Sequence, residues 1–123
     1  MQQKTLKDNF YIEGIGVHGG QKCSISVKPA PENSGIIFIS NESGNKIIPN
    51  YKNVGCTAMC TQVANDRGDT IKTIEHLMAA FYGTGITNAI VEVSGGEVPI
   101  LDGSSVVFAE LIEKTGIESQ NAL

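Results

Sequence analysis

Between Thr73 and Gly83 the sequence reads as a helix that is apolar on almost every side. Ile74, Leu77, Met78 and Phe81 recur at i, i+3, i+4 and i+7, the spacing of one helix face. Ala79 and Ala80 stand opposite that stripe, where the outer side of a surface helix would carry polar groups. The only readily ionised side chains in the segment are Glu75 and His76. A helix that is apolar nearly all round is covered on two sides. One side meets a sheet of the same chain, and the other calls for a partner. Thr70 or Thr73 is expected to cap the start and Gly83 to end the helix.

Around this helix the sequence reads mostly as strands. Phe10 and Ile12 alternate with Tyr11 and Glu13, and Cys23, Ile25 and Val27 alternate with Ser24, Ser26 and Lys28. Further strands are expected at Ile36 to Ile39, Lys46 to Ile48, Thr57 to Val63 and Asn88 to Val93. Ser104 or Ser105 is expected to cap a second helix, with Phe108, Leu111, Ile112 and Thr115 on one face and Gly116 as its stop. The order of strands, helix, strand, helix implies an α+β two-layer sandwich, a mainly antiparallel or mixed β-sheet packed against two α-helices. With 123 residues, 41% of them hydrophobic, the chain is expected to be a single domain, 1–123, with its own core.

Charge narrows the partners. The formal net charge is -4 and Arg67 is the only arginine, so the chain lacks the forks that grip phosphates and base edges, and a nucleic-acid partner is not expected. No apolar run approaches the roughly 20 residues that span a bilayer, and no signal peptide is visible behind Met1, so neither a transmembrane segment nor export is expected. The odd set Cys23, Cys56 and Cys60 does not read as a disulfide framework and suits a reducing, cytoplasmic setting.

The Glu75-His76 pair carries the chemistry. Histidine is a good zinc ligand, and a neighbouring carboxylate suits a general base for water activated by a metal. Such a pair also occurs as an ordinary hydrogen-bonded structural element. A helical two-histidine motif would need a ligand at Ala79 or Ala80, and neither can ligate. If Cys56 and Cys60 share one extended strand, they lie roughly 13 Å apart and cannot share an ion. Cys23 falls on the apolar face of its strand and reads as core. The loop Gly14-Ile15-Gly16-Val17-His18-Gly19-Gly20 lacks the ending of a phosphate loop, so turn glycines are the simpler reading, with His18 free to face a site. Asp102-Gly103-Ser104 likewise reads first as a turn into a helix.

Taken in order, five segments resemble one family. They are Gly14 to Gly20, then Lys28-Pro29-Ala30-Pro31 with Ser34-Gly35-Ile36, then Thr73-Ile74-Glu75-His76-Leu77, then Gly85-Ile86-Thr87-Asn88, and then Glu97 to Ser104. The chain is similar over nearly its whole length, roughly Lys4 to Asn121, to the N-terminal half of UDP-3-O-acyl-N-acetylglucosamine deacetylases, zinc enzymes of lipid A biosynthesis in Gram-negative bacteria.

The resemblance implies two similar domains whose helices are sandwiched between two sheets. It implies that His76 is the first-domain zinc ligand and Glu75 the general base. Cys60 falls where the family places a cysteine linked to a second, inhibitory metal, and Thr57, Met59 and Cys60 would line the wall of the site, with His18 adjacent. The substrate would be a UDP-linked acylated glucosamine, whose acetamide is cleaved to amine and acetate. The second-domain ligands have no counterpart in this sequence, so the isolated chain is expected to be inactive. The uncovered helix face is expected to meet the missing C-terminal domain or a second copy. The alternative is a free-standing binding or assembly module without catalysis.

Overall fold

In the computed structural model, which describes residues 2–17, 19–49, 54–56, 61–101 and 105–123, the alternation of Cys23, Ile25 and Val27 becomes the inner face of a strand. In chain order the elements are β1 (Lys4–Leu6), β2 (Phe10–Ile15), β3 (Lys22–Pro29), β4 (Ile36–Ser40), β5 (Lys46–Ile47), β6 (Val54–Cys56), β7 (Thr61–Ala64), β8 (Thr70–Lys72), α1 (Glu75–Thr84), β9 (Ala89–Ser94), α2 (Val106–Thr115) and β10 (Ile117–Ser119). The main sheet has the order β2-β3-β9-β4-β5. It is antiparallel except where β4 runs parallel to β9, so the expected mixed α+β architecture is present.

β9 lies in the middle of this sheet, and its alternation shows why. Ala89, Val91 and Val93 are fully buried, whereas Ile90, Glu92 and Ser94 are not. Val91 pairs with Val27 on one side and Phe38 on the other, and none of the three is exposed. Burying side chains of this size stabilises by about 1.5–3 kcal/mol each. On the opposite face of the sheet, Lys28 and Glu92 form an ion pair at 2.8 Å.

Two smaller sheets complete the fold. β6, β7 and β8 form an antiparallel set in which Cys56 is the register partner of Thr61. Of the single strand expected over Thr57 to Val63, the structure therefore places Thr61 onward in β7, while Thr57 to Cys60 lie outside the described residues. β1 and β10 pair antiparallel and bring the two ends of the chain together. At three residues each, β1, β8 and β10 are too short for their period to stand out in the sequence.

Asn88 ties this end of the molecule to the main sheet. It is 2% exposed, and its side chain donates to Gln3 Oε1 (2.8 Å) and Gln120 Oε1 (2.7 Å) while accepting from the Gly35 N–H (2.8 Å). The Thr5 hydroxyl donates to the Asn88 carbonyl (2.7 Å) and accepts from the Ala30 N–H (3.0 Å). A buried amide with its donors and acceptor all engaged is a stabilising cross-link rather than a desolvation cost. This accounts structurally for the Gly85-to-Asn88 segment.

The helices supply the second layer. Leu77, Ala80 and Phe81 of α1 and Phe108 and Ile112 of α2 join Ile25, Val27, Phe38 and Val91 in one core. Three expectations are corrected. Ala80 does not lie on an uncovered face; it is 2% exposed because the 3.6-residue turn places it beside Leu77 and Phe81. Gly83 does not stop α1, which runs to Thr84 and closes on Gly85 in the left-handed conformation at φ 81°. There a backbone with no Cβ satisfies the last carbonyls. Neither expected threonine caps the start: Thr70 belongs to β8, and the N-cap position is Ile74 without a side-chain cap. Ser105 does occupy the N-cap of α2, again without a side-chain bond, and Gly116 ends that helix as expected.

The outer side of α1 carries exposed Ala79 and a Tyr82 that is 90% exposed, and Val106 at the start of α2 is 55% exposed. None of the described helices is long and apolar enough to cross a membrane.

Candidate functional site

Glu75 and His76 are the first two residues of α1, and both side chains are half-buried. Two constraints put them there. The apolar stripe Leu77, Met78 and Phe81 seats the helix on the core, and the Ile74 N–H donates to the Thr61 carbonyl (3.2 Å), pinning the entry to the start of β7. Successive residues on a helix diverge by about 100°, so Glu75 and His76 border the same rim without facing one another.

The carboxylate of Glu75 is unusual. Its Oε1 is fully shielded from solvent and, among the described residues, has no hydrogen-bond partner. Native proteins rarely leave a buried carboxylate oxygen unpaired, because desolvation without a partner costs several kcal/mol for a charged group. Such an exception calls for a reason, and a catalytic role is one. The oxygen is thus available to accept a proton or to receive a polar group brought by a ligand.

Among the described residues no group of three or more His, Cys, Asp or Glu side chains converges into a metal cage. A histidine next to a carboxylate whose Oε1 has no partner among the described residues is a donor set of the kind that can share a zinc ion with ligands from elsewhere. Thr57, Met59, Cys60 and His18 lie outside the described residues, as do Asp102, Gly103 and Ser104. Cys23 is 3% exposed in the core, as its strand face implies. Burial, and secondarily the charge of Glu97, pushes its thiol up from the usual cysteine range, so it stays protonated and unreactive.

A second carboxylate, which sequence reasoning passed over, sits behind the helix start. Glu97 is 3% exposed and accepts from the Thr73 hydroxyl at Oε2 (2.6 Å) and from the Gly19 N–H at Oε1 (3.1 Å). The signal was present: a lone acid between the Ser94-Gly95-Gly96 turn and the apolar run Val98 to Leu101 has little reason to be there unless it is bonded inside. The glycine loop also gains a second purpose. Gly20, at φ 61°, serves the β2–β3 turn as expected, but a Cβ on Gly16 would collide with the Glu97 carboxylate.

Comparison with known proteins bears on this arrangement. The chain is 45% identical over 122 residues to a UDP-3-O-acyl-N-acetylglucosamine deacetylase of Shewanella violacea, covering 98% of this chain and 40% of that protein. It is 42% identical over 124 residues to the protein of the same name in Chromohalobacter salexigens, and 45% identical over 125 residues to that of Teredinibacter turnerae, covering 41% of each. The chain thus spans about two-fifths of the length of the curated relatives it matches. The sequence model of LpxC, UDP-3-O-acyl N-acetylglycosamine deacetylase, matches residues 3–123, and a match over nearly every residue places the chain in that family.

Proposed function

We propose that residues 1–123 form the N-terminal domain of a cytoplasmic deacetylase that hydrolyses the acetamide of UDP-3-O-acyl-N-acetylglucosamine to the free amine and acetate. In this proposal Glu75 is the general base and His76 is one of three protein ligands to zinc. The observation that carries it is the buried, unpartnered Oε1 of Glu75 next to a half-buried histidine at the same helix end. The relatives' shared name supplies the substrate class. Roles for Thr57, Met59, Cys60 and His18 rest on the family resemblance alone.

Zinc, when bound, polarises the acetamide carbonyl and makes water more acidic. The protein's own part is proton handling and placement. Glu75 takes a proton from the attacking water as the C–O bond forms, and the amide nitrogen takes up that proton as the C–N bond breaks, leaving the amine and acetic acid, which ionises to acetate. A carboxylate with a spare lone pair at a buried oxygen is ready for that proton without first giving up a structural bond. His76 holds its place on the first turn of a helix packed on the core, which limits its drift relative to Glu75. The exposed apolar side of the helices, with Ala79, Tyr82 and Val106, is then the face that the remainder of the enzyme, or a second copy, covers.

The test is a full-length deacetylase in which this chain replaces the matching part of the Shewanella violacea relative. Acetate release from UDP-3-O-acyl-N-acetylglucosamine, lost on chelation and restored by zinc, is the expected result. A folded, zinc-loaded hybrid that releases no acetate contradicts the proposal and leaves the assembly-module alternative standing.

A further inference from the structure

Three chain segments meet behind the start of α1, and a single buried carboxylate joins them. The Lys72 N–H donates to the Gly96 carbonyl (3.1 Å) and the Val98 N–H to the Lys72 carbonyl (3.0 Å), so β8 and the segment after β9 run side by side through a parallel bridge at Lys72 and Glu97. Glu97 then reaches forward to the Thr73 hydroxyl and sideways to the Gly19 N–H. Gly16 leaves the space that its carboxylate fills.

Thr73 is the strained member of this junction. Its φ is 63°, in the left-handed region that a β-branched residue seldom enters. Backbone strain of this kind persists only where surrounding bonds over-determine it. Thr73 is 2% exposed and directly precedes the N-cap residue Ile74. Its hydroxyl, the group that would ordinarily cap a helix, is committed instead to Glu97 at 2.6 Å. The position of the first turn of α1, and with it Glu75 and His76, is therefore set from behind.

We propose that Glu97 is a positioning residue for the Glu75-His76 pair, acting through Thr73 by locking the strained approach to α1 onto Gly16 and Gly19. Glu97 lies on the far side of Thr73 and acts by geometry alone. The inference rests on the roles given to Glu75 and His76 above.

The experiment uses the full-length hybrid deacetylase with Glu97→Gln, Thr73→Val and Thr73→Ser. Glutamine keeps the shape but puts an amide NH2, a donor, where one of the two acceptors is required. Valine keeps the bulk of threonine and loses the hydroxyl, and serine keeps the hydroxyl. Displacing a reacting group by about 1 Å costs on the order of 100-fold, so Glu97→Gln and Thr73→Val are expected to lower kcat by about 10- to 100-fold. KM should stay within about twofold, and Thr73→Ser should restore kcat to within about threefold of the parent. Zinc content per folded molecule should not change. A merely structural role would lower the melting temperature and leave kcat per folded, zinc-loaded molecule within threefold of the parent, and that result overturns the inference.

Hydrogen exchange separates this from the deacetylase reading. The Met78 N–H donates to the Ile74 carbonyl (3.0 Å) and reports the first turn of α1; the Gly116 N–H donates to the Ile112 carbonyl (3.0 Å) and reports the end of α2. In Glu97→Gln the Met78 amide is expected to exchange about tenfold faster with Gly116 unchanged. Equal rates at Met78 in parent and variant overturn the positioning role whether or not the parent releases acetate. A parent that releases no acetate, with Met78 still loosened, counts against the deacetylase reading alone. Should Glu97→Gln fail to fold, the Thr73→Val and Thr73→Ser pair decides by the same two readouts.

Discussion

Replacing Glu75 by Gln in the full-length hybrid is expected to lower kcat by about 10²- to 10⁴-fold, the usual contribution of a positioned general base, with little change in KM. Glutamine has the same shape, fills the same half-buried space and cannot take a proton from water. The structure adds an expectation about stability. Because Oε1 is buried without a partner, the fold gains no described hydrogen bond from that oxygen. Removing a partly desolvated charge therefore leaves the melting temperature unchanged or raises it. Rate and stability thus move independently, which distinguishes a reacting carboxylate from a structural one. A variant that retains kcat to within tenfold contradicts the role given to Glu75, and a sharp fall in melting temperature contradicts the structural part.

The second large effect concerns the layer that carries the site. Phe108 of α2 is not exposed at all and lies in the core shared by Leu77 and Phe81 of α1 and the inner face of the main sheet. Phe108→Ala removes a ring from a close-packed interior and is expected to destabilise the domain by about 3–5 kcal/mol. Domains of this kind have only about 5–15 kcal/mol in total, so thermal denaturation followed by circular dichroism should show a loss of about 10–25 °C. Phe108→Leu keeps most of the volume and should lose much less. A loss under about 1 kcal/mol for the alanine variant would mean that α2 is not packed on α1 and the sheet as described.

How much of this was legible beforehand depended on period and length. The strands β3 and β9 are legible in the sequence because they run for eight and six residues, long enough for a period of two to show, whereas the central position of β9 in the sheet is seen only in the structure. The 3.6-residue stripe of α1 revealed its buried face through Ile74, Leu77 and Phe81. Its ends were misread because threonine is a common cap and Gly83 a plausible stop. The hydroxyl of Thr73 is instead spent on Glu97, and the left-handed turn falls at Gly85. Ala80 was misassigned because alanine is small enough to be read as either face. Of the site, Glu75 and His76 stood out as the only readily ionised groups on an apolar helix. Glu97 did not, because its partners at Gly19 and Thr73 are 78 and 24 residues away, and no local pattern joins them.

The central claim is that this chain holds part of a zinc site, one donor and the base, and that the remaining donors come from outside it. Zinc titration by calorimetry tests this most directly, on the isolated chain, on the full-length hybrid and on the hybrid with His76→Ala. A zinc ion at a catalytic centre takes three protein ligands. The isolated chain should therefore bind zinc weakly or not at all. The hybrid should bind one ion per molecule, and His76→Ala should weaken that site at least about 100-fold. One tight zinc per isolated chain, or a hybrid whose affinity does not depend on His76, would contradict the claim.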